Sequence, residues 1–113
     1  MGLMSALKAI IKAINELYAA EKYADALRKC EEALEREDNN FLLHAMKGHC
    51  ALGAKDASTA ETAFVKASSF PTTDENQAQM QRVWKTLSEL YRDRLEWSKY
   101  ALAMRKLVSF ALE

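Results

Sequence analysis

The chain has 113 residues, of which half are hydrophobic, three are Gly and one is Pro. This length fits one compact domain, and a composition poor in helix breakers favours an all-α fold. Sixteen Lys and Arg balance sixteen Asp and Glu, which excludes a global charge that would steer nucleic acid or an anionic membrane to the chain.

Two amphipathic patterns fill the first forty residues. Apolar side chains step by three or four residues from Leu7 to Tyr18, which is the spacing of one helix face. A second stripe begins at Tyr23 and ends at the polar run of residues 38–40, where a turn is expected. These patterns predict two helices joined by a short connection.

Two further helical patterns follow. The third runs from Phe41 to Leu52 and is followed by Gly53, which we expect to cap the helix in the left-handed conformation. The fourth carries small and aromatic side chains on one face and ends at Pro71, because proline interrupts helical hydrogen bonding.

The last two patterns occupy the final forty residues. Thr72 and Glu75 have the spacing of a capping box, so a fifth helix is predicted to start there and to run to about Arg94. A sixth begins at Trp97. No stretch alternates apolar and polar residues, so strands are not expected.

Sequence motifs in these helix pairs resemble the tetratricopeptide repeat (TPR). That family has the pattern W-x2-L-G-x2-Y in the first helix of a repeat and A-x3-F in the second. The corresponding runs here are Trp84-x2-Leu87-Ser88-x2-Tyr91 and Ala60-x3-Phe64. The resemblance implies a right-handed α-solenoid of about three TPR helix-turn-helix pairs, with a generic helical bundle as the alternative.

The spacing of the pairs agrees with this resemblance. From Leu7 to Phe41 the offset is 34 residues, which is the period of the family. From Phe41 to Gln81 it is 40, so the third repeat carries extra residues around positions 71–79. The resemblance implies a single TPR domain over residues 1–113, with repeats at about 5–40, 41–71 and 72–112.

Small residues occupy the predicted helix crossings. Only a small side chain lets the two helices of a repeat approach closely, and the resemblance puts Ala26, Gly48, Ala60 and Ser88 at those crossings. His44 takes the Trp position of the second repeat, and we expect a packed imidazole there rather than a metal ligand.

Two runs carry a narrower similarity. They are residues 6–40, with the core Lys22-Tyr23-x2-Ala26-Leu27-x2-Cys30, and the later Trp84-Lys85-x-Leu87-x2-Leu90-Tyr91. These runs are similar to the amino-terminal repeats of the large TPR subunit of the superkiller complex, which feeds RNA to the cytoplasmic exosome. The similarity implies a scaffold role in an RNA-decay assembly.

The two cysteines and the amino terminus bear on the compartment. Cys30 and Cys50 follow no disulfide-framework or zinc-site spacing, so they are expected to be packed free thiols, with a reactive thiol as the alternative. No segment reaches the roughly 18 apolar residues that a membrane span needs, and residues 1–14 lack a signal-peptide cleavage pattern. A cytoplasmic location is expected, with the nucleus as the alternative.

Groups that catalysis requires do not cluster in the sequence. His44 and His49 are five positions apart, about 140° around a helix, which prevents joint metal ligation. The sequence has no glycine-rich phosphate loop and no nucleophile beside a base. We therefore expect no enzyme activity, no cofactor and no metal.

The resemblance implies a concave groove lined by the first helix of each repeat. The family's inward positions fall on Lys8, Ile11, Asn15, Tyr18, Leu42, Ala45, His49, Leu52, Arg82, Lys85, Glu89 and Arg92. The basic end of this set favours a protein or peptide partner with acidic residues, and an ordinary solvated face is the alternative. Nucleic acid is not expected, because the chain lacks a pattern of interleaved aromatic and basic residues.

A chaperone-tail clamp is a specific TPR site that the sequence argues against. In that clamp polar side chains hold a terminal carboxylate at five positions, which here are Ile11, Asn15, Met46, Arg82 and Thr86. Only Asn15 and Arg82 suit a carboxylate, and each missing partner would cost about 1–3 kcal/mol. Tight binding of chaperone tails is therefore not expected.

The carboxyl-terminal segment has more apolar residues than one helix face can bury. Leu102, Phe110 and Leu112 cannot all share the face that Tyr100, Met104, Leu107 and Val108 are expected to bury, so some of them should be exposed. Exposed apolar patches mark interaction surfaces, so we expect self-association or continuation of the solenoid through these residues.

The sequence thus predicts a protein–protein interaction scaffold that holds a partner segment in its groove, within an RNA-decay assembly if the narrower similarity holds. The alternative is a structural role, either as an end segment of a longer solenoid or as a self-associating TPR module that forms a homo-oligomer.

Overall fold

The fold is a succession of six α-helices, in a computed structural model that describes residues 3–112. The helices are α1 (Leu3–Ala19), α2 (Tyr23–Arg36), α3 (Phe41–Gly53), α4 (Ala57–Ser68), α5 (Gln77–Asp93) and α6 (Trp97–Ala111). Residues 3–112 contain no strand, so the predicted all-α class is confirmed. Within the same range, no helix has the length and apolar character needed to cross a membrane.

Helices that follow one another in the chain pack together, and α3 also touches α5. The molecule measures 44 × 30 × 22 Å. Short turns join α1 to α2, α3 to α4, and α5 to α6, which gives three helical hairpins.

The turns inside the three hairpins share one backbone arrangement. Glu21, Lys55 and Leu95 adopt left-handed φ angles of 60°, 63° and 58°. Each donates its N–H to the carbonyl three residues back, and the following residue donates to the carbonyl five residues back. This is the Schellman motif. The left-handed residues are 34 and 40 positions apart, the same two offsets that separate the sequence patterns.

The predicted left-handed cap at Gly53 is wrong. Gly53 is the last helical residue of α3, and Lys55 takes the left-handed conformation instead. A Cβ atom on Gly53 would overlap the ring of Tyr23 in α2. Glycine is needed here because an aromatic ring approaches the backbone, not because of the backbone angle.

The predicted start of α5 at Thr72–Glu75 is also wrong, because the helix begins at Gln77. The reciprocal bonds of a capping box are made one residue later, in the turn before the helix. Asn76 Oδ1 accepts from the N–H of Thr73 at 2.7 Å, and the N–H of Asn76 donates to Thr73 Oγ1 at 3.1 Å. Asn76 also donates its side-chain amide to the carbonyl of Pro71 at 3.0 Å. These side-chain bonds hold the residues before Gln77 in a turn, so they do not join the helix.

The core consists of two adjoining clusters. The first, between α1, α2 and α3, includes Ile14, Cys30, Leu43 and Cys50. The second joins α3 to α6 and includes Phe64, Val83, Leu87 and Tyr91. Leu27 packs against both clusters, which makes the apolar interior continuous.

The predicted small residues do lie at buried positions. Ala26, Gly48, Ala60 and Ser88 are all buried. A Cβ atom on Gly48 would lie 2.5–2.7 Å from three ring atoms of Phe64, so α3 and α4 approach too closely there for any larger residue.

An ion cluster fastens α4 to the last hairpin. Glu61 of α4 pairs with Arg94, in the turn after α5. Lys99 Nζ of α6 lies 3.8 Å from the other oxygen of Glu61 and 3.5 Å from Glu96 Oε1. Because Glu61 is partly shielded from solvent, with its side chain 21% exposed, these contacts are screened less than an ordinary surface pair.

Candidate binding groove

Two adjoining clefts open on the first helices of the hairpins, one among α1, α3 and α5 and the other between α5 and α6. The first, named here the apolar cleft, has a volume of about 250 Å³. Its lining residues are Ile11, Ile14, Asn15, Tyr18, Leu42, Met46, His49, Cys50, Gln79 and Arg82. All of them belong to α1, α3 or α5, so the three first helices share one concave surface.

The second cleft lies between α5 and α6 and has a volume of about 610 Å³. We name it the basic cleft. Its lining residues are Ala78, Gln81, Arg82, Lys85, Ser88, Glu89, Arg92, Tyr100, Met104 and Leu107. Arg82 lines both clefts, so the two adjoin at this side chain, and together they are named the groove.

The structure brings most of the predicted groove residues together. Asn15, Tyr18 and His49 join Arg82 in the apolar cleft. The predicted set of α5, which is Arg82, Lys85, Glu89 and Arg92, lies along the basic cleft.

Three residues predicted to face inward do not line the groove. Lys8 is exposed but borders neither cleft. Ala45 is buried in the core, and Leu52 packs against the same core cluster. The family's repeat register placed these two on the inner face, but they pack into the core.

Tyr18 stands at the rim of the apolar cleft. Its ring meets the ring of Tyr23 edge to face, with centroids 5.2 Å apart, while 42% of the residue remains exposed. Because α1 ends in a Schellman turn whose Glu21 N–H bonds the carbonyl of Tyr18, the backbone beneath this ring is fixed. The phenol is thus held in place with one side open to a ligand.

His49 presents a neutral imidazole to the apolar cleft. Its ring lies edge to face against Phe64, with centroids 4.9 Å apart. Burial, and secondly the positive charge of Arg82, lower the pKa of His49 below its usual value of 6.5. At neutral pH the ring therefore offers one donor and one acceptor but no charge.

His44, by contrast, is a packed structural residue, as predicted. Its Nε2 lies 2.7 Å from the carbonyl oxygen of Asp38, and its ring leans on Phe70 with centroids 5.8 Å apart. Across residues 3–112, no three His, Cys, Asp or Glu side chains are grouped so as to hold a metal ion.

The basic cleft carries positive charge that its surroundings neutralise only in part. Among the described residues, neither Arg82 nor Lys85 has a carboxylate within ion-pair distance, and Arg92 Nε lies 3.6 Å from Asp93. Glu89 is the one acidic residue of the lining. An acidic side chain entering this cleft would meet guanidinium and ammonium donors directly.

The positions of a chaperone-tail clamp do converge, but their chemistry differs from that of a clamp. Ile11, Asn15, Met46 and Arg82 line the same cleft. Thr86 lines neither cleft and donates its hydroxyl to the carbonyl of Arg82 at 2.9 Å. The apolar side chains of Ile11 and Met46 occupy the places of two polar clamp groups. Such a lining suits an apolar ligand side chain better than a carboxylate.

Helix α6 leaves apolar side chains exposed, although not the complete set expected. Leu102 and Leu112 are exposed by 46% and 82%, whereas Phe110 is half-buried. Met104 and Val108, which were expected to be covered, are exposed too. Ala103 is the one buried residue that α6 contributes, because the helix packs chiefly on α5.

Two sides of α6 are therefore open. Met104, Val108 and Leu112 step by four residues and form an exposed stripe, which we name the α6 stripe. Leu102 lies about 160° around the helix from Met104.

Neither a protein-family model, nor a curated protein, nor a solved structure matches the chain. The repeat interpretation therefore depends on the motifs of the chain itself and on the geometry of its three hairpins.

Proposed function

We propose that this chain is a TPR-like binding module that holds a segment of a partner protein along α1, α3 and α5, without catalysing a reaction. The observation that carries the proposal is the apolar cleft, because its lining comes only from the first helix of each hairpin. The three equivalent turns, 34 and 40 residues apart, support the stacking of three repeats as a right-handed solenoid.

The lining of the groove indicates the kind of segment. A medium-sized apolar side chain fits beside Ile11, Leu42 and Met46 in the apolar cleft. An acidic side chain further along the segment would bind Lys85 and Arg92 in the basic cleft. The proposed partner is therefore a peptide segment with an apolar anchor followed or preceded by acidic residues.

The narrower sequence similarity extends this proposal to an assembly. On that reading, the module is a scaffold within a complex that degrades RNA, and its groove binds a protein component of the complex. The balanced charge of the chain supports a protein partner over the RNA itself.

Selection from a displayed peptide library tests the proposal. The wild-type protein should enrich peptides that contain an apolar residue and acidic residues, and synthetic copies should bind with micromolar affinity. The double substitution Lys85→Glu and Arg92→Glu should weaken binding roughly tenfold or more, since each charge-assisted bond contributes about 1.5–3 kcal/mol.

A matched control makes an equal change in net charge at positions outside the groove. Lys22 and Arg105 are exposed and line neither cleft, so Lys22→Glu with Arg105→Glu should leave the affinity within about twofold. Equal losses in both double variants would reject the groove, since only the overall charge would then matter.

The exposed α6 stripe favours a second function, in which the chain associates with itself or continues a longer solenoid. Sedimentation equilibrium at micromolar concentration distinguishes this role. A mass above that of one chain, lowered by Val108→Lys but not by Lys22→Glu, would support it. A monomer at every concentration, with or without the peptide, would rule out the self-association role.

A further inference from the structure

Cys30 and Cys50 form a close pair of thiols in the core. They come from α2 and α3, and their Sγ atoms lie 4.0 Å apart. Both are free thiols and both are buried. The two sulfurs would have to approach by about 2 Å to reach the length of a disulfide bond.

The two cysteines differ in their access to small molecules. Cys50 forms part of the wall of the apolar cleft, although only 1% of it is exposed. Cys30 lies behind it, in the core between α1, α2 and α3. A small oxidant that enters the cleft therefore meets Cys50 first.

The contact between the thiols also shifts their pKa values in opposite directions. The side-chain contact with Cys30 lowers the pKa of Cys50, whereas the same contact and burial raise the pKa of Cys30. The thiolate, which is the nucleophile, forms more readily on the cysteine that borders the cleft.

We propose that Cys30 and Cys50 are a redox-modification site, at which hydrogen peroxide converts the two thiols of the folded protein into an intramolecular disulfide. The oxidation of these two thiols does not require that the groove bind a peptide.

The chemistry proceeds in two balanced steps. The Cys50 thiolate attacks one oxygen of hydrogen peroxide, the O–O bond breaks, and a sulfenic acid and hydroxide form. The sulfur of Cys30 then attacks Sγ of Cys50, so that the S–S bond forms and the S–O bond of the sulfenic acid breaks, and the departing hydroxide takes the Cys30 proton to become water. The hydroxide from the first step takes up the proton that Cys50 lost when it became a thiolate. Overall, two thiols are oxidised to one disulfide and one peroxide is reduced to two molecules of water. A dithiol reductant reverses the change.

The bond would tie α2 to α3 and close a loop of 21 residues, counted from Cys30 to Cys50. A loop of this size should raise the melting temperature of the folded protein by about 10 °C or more.

Mass spectrometry of the full chain after peroxide treatment tests the proposal. The intact mass should fall by about 2 Da, the mass of two hydrogen atoms. A tryptic digest without reductant should link the peptides of residues 30–36 and 48–55. Dithiothreitol should restore the mass and the lower melting temperature.

Single variants identify the cysteine that reacts first. With Cys30→Ala, peroxide should leave a sulfenic acid on Cys50 that dimedone traps. With Cys50→Ala, Cys30 should remain unmodified at the same dose. Trapping on Cys30 alone would overturn the assigned order.

The wild-type measurement decides the proposal even if neither variant folds. Oxidation of Cys50 to sulfinic acid without any link would overturn it, as would a disulfide between two chains. A linked protein that melts below the reduced form would do so as well, because the folded state would then not accommodate the bond.

Discussion

Replacing Gly48 with Ala should destabilise this protein, although the same substitution stabilises an isolated helix by about 1 kcal/mol. The reason is the crossing of α3 and α4. The new Cβ atom would lie 2.5–2.7 Å from three atoms of the Phe64 ring. Since Phe64 is fully buried, the ring cannot turn into solvent, and the helices must separate or the side chain must leave its rotamer.

The expected size follows from two opposing effects. Overpacking of this kind costs about 1–3 kcal/mol or more, and the gain in helix propensity offsets about 1 kcal/mol of it. Because contacts of 2.5–2.7 Å place the cost in the upper part of that range, we expect a net loss of about 1–2 kcal/mol in the free energy of unfolding. Urea denaturation followed by circular dichroism measures this loss.

The substitution Phe64→Leu provides the matched background. It removes the outer ring atoms and should cost about 1–1.5 kcal/mol alone. In that background Gly48→Ala should be neutral or stabilising by up to about 1 kcal/mol, so the two changes should couple favourably. Equal destabilisation by Gly48→Ala in both backgrounds would refute the proposed contact, and a stabilising effect in the wild-type protein would refute the close crossing itself.

Two further predictions concern titration and ion pairing. Because burial and then Arg82 lower the pKa of His49, the unfolded chain binds a proton there more readily than the fold, so stability should decline as pH falls below about 6.5. Urea titrations at about pH 7 and 5.5 should show a smaller decline in His49→Gln, and an identical decline would contradict the shift. Glu61→Gln should lower the free energy of unfolding by about 1 kcal/mol. Adding Arg94→Gln should cost little more, because the two side chains stabilise the fold as a pair. Losses that simply add in the double variant would argue against the cluster.

The helices could be predicted because their periodicity is strong and their boundaries are local. The stripe that begins at Tyr23, for example, starts α2 at that same residue. Errors arose where one residue type serves two purposes. Gly53 suits both a left-handed cap and a close approach, and only the ring of Tyr23 decides between them.

The candidate groove was partly predictable for a related reason. A repeat register assigns Asn15, His49 and Arg82 to inner positions, and these residues share the apolar cleft. The register does not describe how far each neighbouring helix covers a position, so Ala45 was expected inside the groove but lies in the core.

Contacts between distant segments could not be predicted from the sequence. The pairing of Glu61 with Arg94 joins residues 33 positions apart, and the contact of Cys30 with Cys50 joins residues 20 apart. Neither spacing carries a recognisable pattern, because each contact depends on how separate helices pack.

The central claim is that α1, α3 and α5 together form the binding surface. Amide chemical shifts of isotope-labelled protein, recorded during titration with a peptide selected from the displayed library, test it directly. We predict that the largest changes fall on residues that line the two clefts, including Asn15, His49 and Lys85, and that the outward residues of α2 and α4 stay unchanged. Changes concentrated on α2 and α4, or on Val108 and Leu112 alone, would contradict the proposed groove.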